Sequence, residues 1–142
     1  MNDSILWEEE SDKYTQRAQI SQQGNLYFTE TDGRDVQELR EILGGETEEI
    51  TSILDIGCGY GSLTGVLAEK FPQAKVVGID PGRKSIELAQ RSLSHLKNLS
   101  FLLGYAHDLP VKEQFDLVVL RMVLQWIPRA YLLKTVAEID RV

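Results

Sequence analysis

The chain has 142 residues, and 15 Lys and Arg against 22 Asp and Glu give it a formal net charge of −7. This length favours one domain, and an acidic chain without a basic run is a poor candidate for binding nucleic-acid phosphates. The apolar runs fall far short of the roughly 18 residues that a membrane span needs, and no signal peptide is evident, so we expect a cytoplasmic protein that binds no membrane. The one cysteine, Cys58, excludes an intrachain disulfide and a Cys-rich zinc site, and we expect no metal.

Residues 1–34 are predicted to form an N-terminal arm that precedes a domain of residues 35–142. The arm is acidic near its start and carries scattered aromatic residues. It is interpreted either as a solvated segment or as a lid, since aromatic residues in a mobile segment can cover a ligand. A helix is expected over residues 35–43, where apolar residues fall at helical spacing and Gly44-Gly45 ends the pattern.

Strands then alternate with helices along the rest of the chain. The strands are expected over residues 50–56, 75–80, 99–104 and 115–120, and the helices over residues 62–71, 85–96 and 130–139. The strands are continuous apolar runs, which are typical of a parallel sheet covered on both faces. The fold class is therefore predicted to be α/β, with three layers in an α/β/α sandwich.

A glycine-rich loop follows the first strand directly. It reads Asp55-Ile-Gly57-Cys-Gly59-Tyr-Gly61, and its glycines let the chain turn tightly while a ligand approaches the backbone. Ligands of open α/β sheets bind outside the carboxyl ends of the strands, which is where this loop lies. Glycines alone are a weak signal, but their position between a strand and a helix favours a binding site.

Two acidic residues accompany the loop, and each has two interpretations. Asp80 ends the second strand 19 residues after Gly61, near the separation of about 20 expected for a ribose-binding acid. Its alternative role is to stabilise the turn before Pro81-Gly82. Asp55 is either a buried carboxylate that caps loop amides or a contact for a cationic amine or sulfonium ligand, and these roles can coexist. Cys58 is expected to be a small packed residue.

Four motifs, in order and at suitable spacing, resemble those of the class I S-adenosylmethionine (SAM) dependent methyltransferases. Residues 53–62 (ILDIGCGYGS) resemble the first motif, and residues 77–81 (VGIDP) resemble the acidic motif after it. Residues 103–110 (LGYAHDLP) resemble the adenine-binding motif, and residues 115–128 resemble the fourth strand and its exit. Residues 136–142 (VAEIDRV) resemble the next helix of the family, so the resemblance covers residues 50–142.

The resemblance implies a Rossmann-like fold with SAM as its cofactor. The sheet would have the strand order 3-2-1-4 and lack the family's strands 5–7, which leaves strand four at an edge open to self-association. Asp55 would help to hold the amino group of SAM, Asp80 the ribose hydroxyls, and the backbone N–H of Ala106 the adenine ring. The residues implied to bind the cofactor are Asp55, Gly57, Cys58, Gly59, Asp80, Pro81, Tyr105, Ala106, Leu120 and Arg121.

The sequence departs from the family at two places. Tyr105 occupies a position that is often acidic or Asn in the family, where the side chain can accept a hydrogen bond from the adenine amino group. Tyr105 supplies no carboxylate, so Asp108 or a backbone carbonyl would have to replace that contact. No Asn/Asp-Pro-Pro-aromatic motif follows strand four, which argues against methylation of nucleic-acid amino groups. The expected methyl acceptor is therefore a small molecule.

No catalytic residue is identified, because methyl transfer from a sulfonium depends on positioning and needs a base only when the acceptor must lose a proton. Arg121, Gln125 and Trp126 are the candidates for binding the acceptor. A guanidinium at residue 121 could clamp a carboxylate or phosphate, although an ion pair with a neighbouring acid is an equally open interpretation. Trp126 is also interpreted as a core or a lid aromatic residue, of which core packing is favoured.

Three functions are open at this point. The leading one is a SAM-dependent methyltransferase that acts on a small molecule, and the second is a noncatalytic SAM-binding module. The third is an NAD-dependent oxidoreductase, which the G-x-G-x-G spacing disfavours. A carboxylic acid is suggested as acceptor by Arg121 alone, and a lipid, a quinone or another metabolite would fit as well.

Overall fold

The computed structural model describes residues 8–10, 13, 16, 30–42 and 49–142. The expected helix end at Leu43 and Gly44-Gly45 lies outside the described residues, as does most of the predicted arm over residues 1–34. The division of the chain into an arm and a domain stays a prediction.

Helices and strands alternate in the predicted order within the described residues. The helices are α1 (Glu30–Ile42), α2 (Ser62–Lys70), α3 (Arg83–Ser92) and α4 (Leu132–Arg141). The strands are β1 (Ser52–Ile56), β2 (Lys75–Asp80), β3 (Leu99–Leu103) and β4 (Leu117–Val119). Short 3-10 turns at Leu124–Trp126 and Arg129–Tyr131 lead from β4 to α4. Each helix and strand has the expected type, although α1 begins before residue 35, α3 ends before residue 96 and α4 begins after residue 130. The 3-10 turns were not predicted.

The strands of the described sheet follow the order β3-β2-β1-β4, and every neighbouring pair is parallel. The predicted order 3-2-1-4 is therefore confirmed. In the register of the sheet, Asp55 of β1 lies beside Gly78 of β2 and Val119 of β4. Parallel pairing brings the carboxyl ends of all four strands to one edge, where the glycine loop begins. β4 is an outer strand of this sheet, and self-association through it stays a prediction.

Apolar side chains cover both faces of the two inner strands. On one face, Ile53 of β1 packs with residues of α1 and α2. On the other face, Leu54 of β1 packs with Val142 and with the segment that follows β3. The outer strands are less covered, since Leu102 and Leu103 of β3 are 38% and 37% exposed. Cover on both faces is thus complete for β1 and β2, whereas on β3 Phe101 packs against α3 and Leu102, on the opposite face, is partly open.

A carboxylate fastens the sheet at its amino edge, away from the glycine loop. The Oδ2 atom of Asp116, just before β4, accepts hydrogen bonds from the backbone N–H and the hydroxyl of both Thr51 and Ser52, at 2.8–3.0 Å. Hydrogen bonds from the backbone and side chain of Thr51 are the main reason that the pKa of Asp116 is lowered. This cluster joins the starts of β1 and β4. Asp116 can therefore be compared with the carboxylates at the carboxyl edge, Asp55 and Asp80.

Candidate functional site

The glycine loop between β1 and α2 is fixed to the end of β2. Gly57 and Cys58 both donate their backbone N–H to the carbonyl oxygen of Ile79, with N···O distances of 2.7 and 3.0 Å. Gly57, Gly59 and Gly61 have φ angles of 76°, 55° and 86°, which residues with side chains rarely adopt. The backbone conformation therefore requires glycine, and the loop presents main chain at the carboxyl edge of the sheet.

Asp80 connects this loop with the turn after β2. The residue is only 6% exposed, and its Oδ2 accepts the N–H of Gly59 at 2.9 Å while its Oδ1 accepts the N–H of Gly82 at 2.8 Å. Stabilisation of the turn is thereby confirmed, and the carboxylate also holds the loop. Because two carboxylate oxygens offer about four acceptor sites, hydrogen bonds from ribose hydroxyls are compatible with these contacts.

Asp55 is buried at the carboxyl end of β1. It is 2% exposed, and its Oδ2 accepts a hydrogen bond from the hydroxyl of the fully buried Thr64 at 2.7 Å. The contact ties β1 to α2, so the burial of Asp55 is confirmed, while its partner here is a helix hydroxyl and the capping of loop amides stays a prediction. Its contact with a cationic ligand group stays a prediction.

Cys58 lies within reach of the charge of both carboxylates. Its buried side chain packs with Ile86 and Phe101, which confirms the expectation of a packed residue. Burial raises the pKa of the Cys58 thiol well above its usual value, and the charges of Asp80 and Asp55 raise it further. The Cys58 thiol therefore stays protonated, as expected for a packed side chain between two carboxylates.

The chain that leaves β3 lies beside Asp80. Gly104 donates its N–H to the backbone carbonyl oxygen of Asp80 at 3.1 Å. Tyr105 follows, and its hydroxyl donates a hydrogen bond to Oε1 of Glu8 at 2.9 Å. Ala106 is half-buried in the tight turn after Tyr105. Tyr105 therefore brings a carboxylate from the N-terminal part of the chain to the exit of β3.

Arg121 leaves β4 and forms an ion pair with α1. Its Nε lies 2.5 Å from Oδ2 of Asp35, and each side chain is about one-third exposed. The interpretation of Arg121 as a partner of a neighbouring acid is confirmed. The pair borders a cavity of about 330 Å³ between α1, α2 and the exit of β4. The cavity is lined mainly by apolar side chains, with Leu120 and Met122 beside Arg121.

The 3-10 turn after β4 is at the surface. Trp126 is 65% exposed, so the expectation that it packs in the core is wrong. The reason is that the turn of Leu124–Trp126 buries none of its three residues. Gln125 is exposed as well, and its predicted contact with the acceptor, like that of Trp126, stays a prediction.

Sequence reasoning missed two residues that the structure adds to this edge. A Cβ placed on Gly57 would lie 2.3 Å from Cγ2 of Val123, so Val123 packs directly on the glycine loop. Glu8 reaches Tyr105 from 97 positions away. Neither residue belongs to a motif, and only the glutamate-rich start of the chain gave any signal. Asp108, suggested as the substitute for an acidic residue at 105, is exposed.

The predicted cofactor residues thus fall into two neighbouring groups. The first lies at the ends of β1, β2 and β3, and the second, Leu120 and Arg121, lies at the exit of β4. Val123 joins them through its contact with Gly57. The first group contains Asp55, Gly57, Cys58, Gly59, Asp80, Pro81, Tyr105 and Ala106. Their individual contacts with a cofactor stay predictions.

The sheet order and the flanking helices define a Rossmann-like α/β protein, and comparison with known proteins gives the family. The family described as "Methyltransferase domain" matches residues 53–142. The chain therefore belongs to the SAM-dependent methyltransferases, and SAM is the cofactor that this membership implies. It does not support the interpretation as an NAD-dependent oxidoreductase.

Two curated relatives show the range of similarity. The malonyl-[acyl-carrier protein] O-methyltransferase of Halalkalibacterium halodurans is 31% identical over an alignment that covers 90% of this chain and 50% of the relative. The trans-aconitate 2-methyltransferase of Deinococcus radiodurans is 40% identical over 54% of this chain and 28% of the relative. The chain thus spans half or less of the length of these relatives.

Solved structures support the same fold. The TehB-like SAM-dependent methyltransferase of Corynebacterium glutamicum has a TM-score of 0.65 at 23% identity, and the match covers 94% of this chain and 66% of that one. PKMT2 of Rickettsia typhi, in complex with AdoHcy, has a TM-score of 0.59 at 28% identity, with 66% of this chain and 19% of that one covered. Among the residues that the structure describes here, no helix is both long and apolar enough to cross a membrane.

Proposed function

We propose that this chain binds SAM at the carboxyl edge of its sheet and forms the cofactor-binding part of an enzyme that methylates a small molecule bearing a carboxylate. Arg121, at the mouth of a cavity beside β4, is the observation that carries the choice of acceptor. The glycine loop and the two buried carboxylates support the choice of cofactor.

The residues at the edge suit the parts of SAM. Asp80 is a buried carboxylate at the end of β2, the position from which an acid reaches ribose hydroxyls in Rossmann-like folds. Gly57 and Gly59 leave main chain accessible next to it. Asp55 and Asp80 are buried carboxylates at the ends of two neighbouring strands, and their negative charge favours the ammonium and sulfonium groups of SAM.

The reaction needs little from the protein beyond placement. SAM supplies an activated methyl group, and transfer is an in-line displacement in which the acceptor oxygen forms a bond to carbon while the carbon–sulfur bond breaks and leaves its electron pair on sulfur. A carboxylate is already ionised at neutral pH, so its oxygen needs no general base. Binding of the acceptor beside the cofactor would therefore supply most of the rate, through orientation and exclusion of water.

The surroundings of Arg121 favour a carboxylate over other acceptors. A guanidinium binds carboxylates through paired N–H donors, and Asp35 already shows this preference at 2.5 Å from the Nε of Arg121. An acceptor carboxylate would exchange with Asp35. The relatives named for malonyl-[acyl-carrier protein] and trans-aconitate both act on groups with free carboxylates, which supports the same acceptor chemistry here.

The test is methyl transfer to trans-aconitate and to a malonyl thioester, followed by the release of S-adenosylhomocysteine. The assay uses the 142-residue chain, together with a longer product of the same gene where one exists. We expect Arg121→Gln to raise the KM for the acceptor at least tenfold, about 1.4 kcal/mol, and to raise the KM for SAM much less, because Arg121 would only border the cofactor. We expect Asp35→Asn to lower the acceptor KM, because it frees Arg121 from its partner.

Arg129→Gln is the matched control, since Arg129 is an exposed arginine a short distance along the same segment. Equal acceptor KM values for the Arg121 and Arg129 variants would contradict the assignment of the acceptor. Tight binding of SAM without turnover on any acceptor, by every form of the protein that is assayed, would favour the noncatalytic module instead.

A further inference from the structure

We propose that Glu8 belongs to the nucleoside end of the cofactor site, where Tyr105 positions its carboxylate to accept a hydrogen bond from the adenine amino group. This inference rests on the SAM-binding part of the proposed function and is independent of the acceptor. It assigns a base-recognition role to a residue that lies outside the motifs of the sequence.

The contact between Glu8 and Tyr105 is a tertiary one. The Tyr105 hydroxyl donates to Oε1 of Glu8 at 2.9 Å, across 97 positions of sequence. Glu8 is half-buried, whereas the adjacent Glu9 and Glu10 are exposed. Glu10 instead pairs with Lys13 at 2.7 Å. Of the three consecutive glutamates, Glu8 is therefore the one that faces the exit of β3.

The exit of β3 borders the place where a base would lie. Asp80, the acid expected to hold the ribose, ends β2, and the N–H of Gly104 binds its backbone carbonyl at 3.1 Å. Tyr105 is the next residue after Gly104, so its side chain starts directly beside the ribose end of the site. A base attached to that ribose, on the β3 side of the sheet, comes within the region that Tyr105 and Glu8 border.

The chemistry of the carboxylate selects the group that it can recognise. An ionised carboxylate only accepts hydrogen bonds, and the donors of adenosine are its two ribose hydroxyls and its amino group. Asp80 is placed for the hydroxyls, which leaves the amino group for Glu8. One oxygen of Glu8 is held by Tyr105, and the carboxylate has further acceptor sites. Inosine carries a carbonyl oxygen in place of the amino group, and a carboxylate would repel it.

The experiment compares the Kd of S-adenosylhomocysteine with that of S-inosylhomocysteine by calorimetry. We expect the wild-type chain to prefer the adenine compound by at least tenfold. Glu8→Gln and Tyr105→Phe should each reduce this preference about tenfold, equivalent to about 1.4 kcal/mol. The glutamine can donate to the inosine carbonyl, so Glu8→Gln should also strengthen binding of the inosine compound. Glu9→Gln is the matched control and should leave the preference unchanged.

Two outcomes would overturn the inference. The first is a preference for the adenine compound that stays within twofold of wild type in both Glu8→Gln and Tyr105→Phe, while the melting temperatures of the unligated variants match wild type. This result would show that Glu8 does not bind the base. A wild-type chain that binds neither compound would overturn the cofactor assignment and this inference with it. Failure of methyl transfer to carboxylates would leave the inference standing, because no acceptor takes part in this measurement.

Discussion

The carboxyl ends of β1 and β2 and the exit of β4 are neighbours that are built in opposite ways. At the first, Asp55 and Asp80 are 2% and 6% exposed and hydrogen-bonded to buried or backbone groups. At the second, Met122 and Trp126 are 67% and 65% exposed, and the polar contact of Arg121 is an ion pair with Asp35 that is open to solvent.

This difference matches the two tasks that we assign to the regions. A cofactor that is the same in every reaction cycle can be held by backbone and buried carboxylates, whose geometry is fixed when the chain folds. An acceptor is held by side chains at the surface, which can exchange one carboxylate for another at little cost because exposed ion pairs contribute only about 0–1 kcal/mol.

The contact between the two regions gives the largest predicted effect. Gly57→Ala should lower the free energy of unfolding by about 3 kcal/mol, since a side chain at φ of 76° costs about 1–2 kcal/mol. The new Cβ would also lie 2.3 Å from Cγ2 of Val123, and overpacking of this kind costs about 1–3 kcal/mol. Urea unfolding measures the change.

Val123→Ala, alone and combined with Gly57→Ala, isolates the contact between the regions. We expect the double variant to be more stable than the sum of the single effects predicts, with a coupling of about 1 kcal/mol. If the changes in the free energy of unfolding of the two single variants simply add up in the double variant, Val123 does not contact the loop, and the two regions are energetically independent.

The buried carboxylate of the first region gives the next effect. Asp80→Asn keeps the shape of the side chain but replaces one acceptor oxygen with a donor, so the N–H of Gly59 or Gly82 loses its partner. We expect a loss of about 2 kcal/mol in stability and a loss of about 100-fold in affinity for S-adenosylhomocysteine, about 2.7 kcal/mol. Calorimetry on the folded variant separates the loss of affinity from the loss of stability.

Asp116→Asn is the control for this prediction, because Asp116 also binds backbone N–H groups but lies at the amino edge of the sheet. It should lower stability and leave the affinity for S-adenosylhomocysteine unchanged. Similar losses of affinity in both variants would mean that Asp80 acts on the cofactor only through the stability of the fold.

The cofactor edge was largely predictable from the sequence because its signals are local. Glycines at fixed spacing mark a backbone with positive φ, and apolar runs mark inner strands. Only one of the two hydrogen bonds of Asp80 could be predicted. Its hydrogen bond to Gly82 joins residues two positions apart in the sequence, whereas its hydrogen bond to Gly59 depends on the pairing of β1 with β2.

The exit of β4 was less predictable because its contacts join distant parts of the chain. The sequence indicated an ion pair for Arg121 but not that its partner is Asp35, in a helix before β1. Core packing is the favoured interpretation of Trp126 in the sequence, and its 3-10 turn places it at the surface. The contact of Glu8 with Tyr105 could not be derived from any motif.

The smallest predicted effect concerns Met122, whose φ of 60° makes it the one non-glycine residue with positive φ among those described. Because its side chain is 67% exposed, Met122→Gly loses little packing. It should relieve about 1–2 kcal/mol of backbone strain against about 0.5–1 kcal/mol of added chain entropy in the unfolded state. We therefore expect the free energy of unfolding, measured in urea, to rise by roughly 0.5–1 kcal/mol, the difference between these two terms.

The control is Leu124→Gly, at a similarly exposed position in the adjacent 3-10 turn, which should instead be destabilising. A stabilised Met122→Gly variant with slower methyl transfer would show that the strained turn helps to position the acceptor, whereas unchanged turnover would leave the strain without a catalytic role.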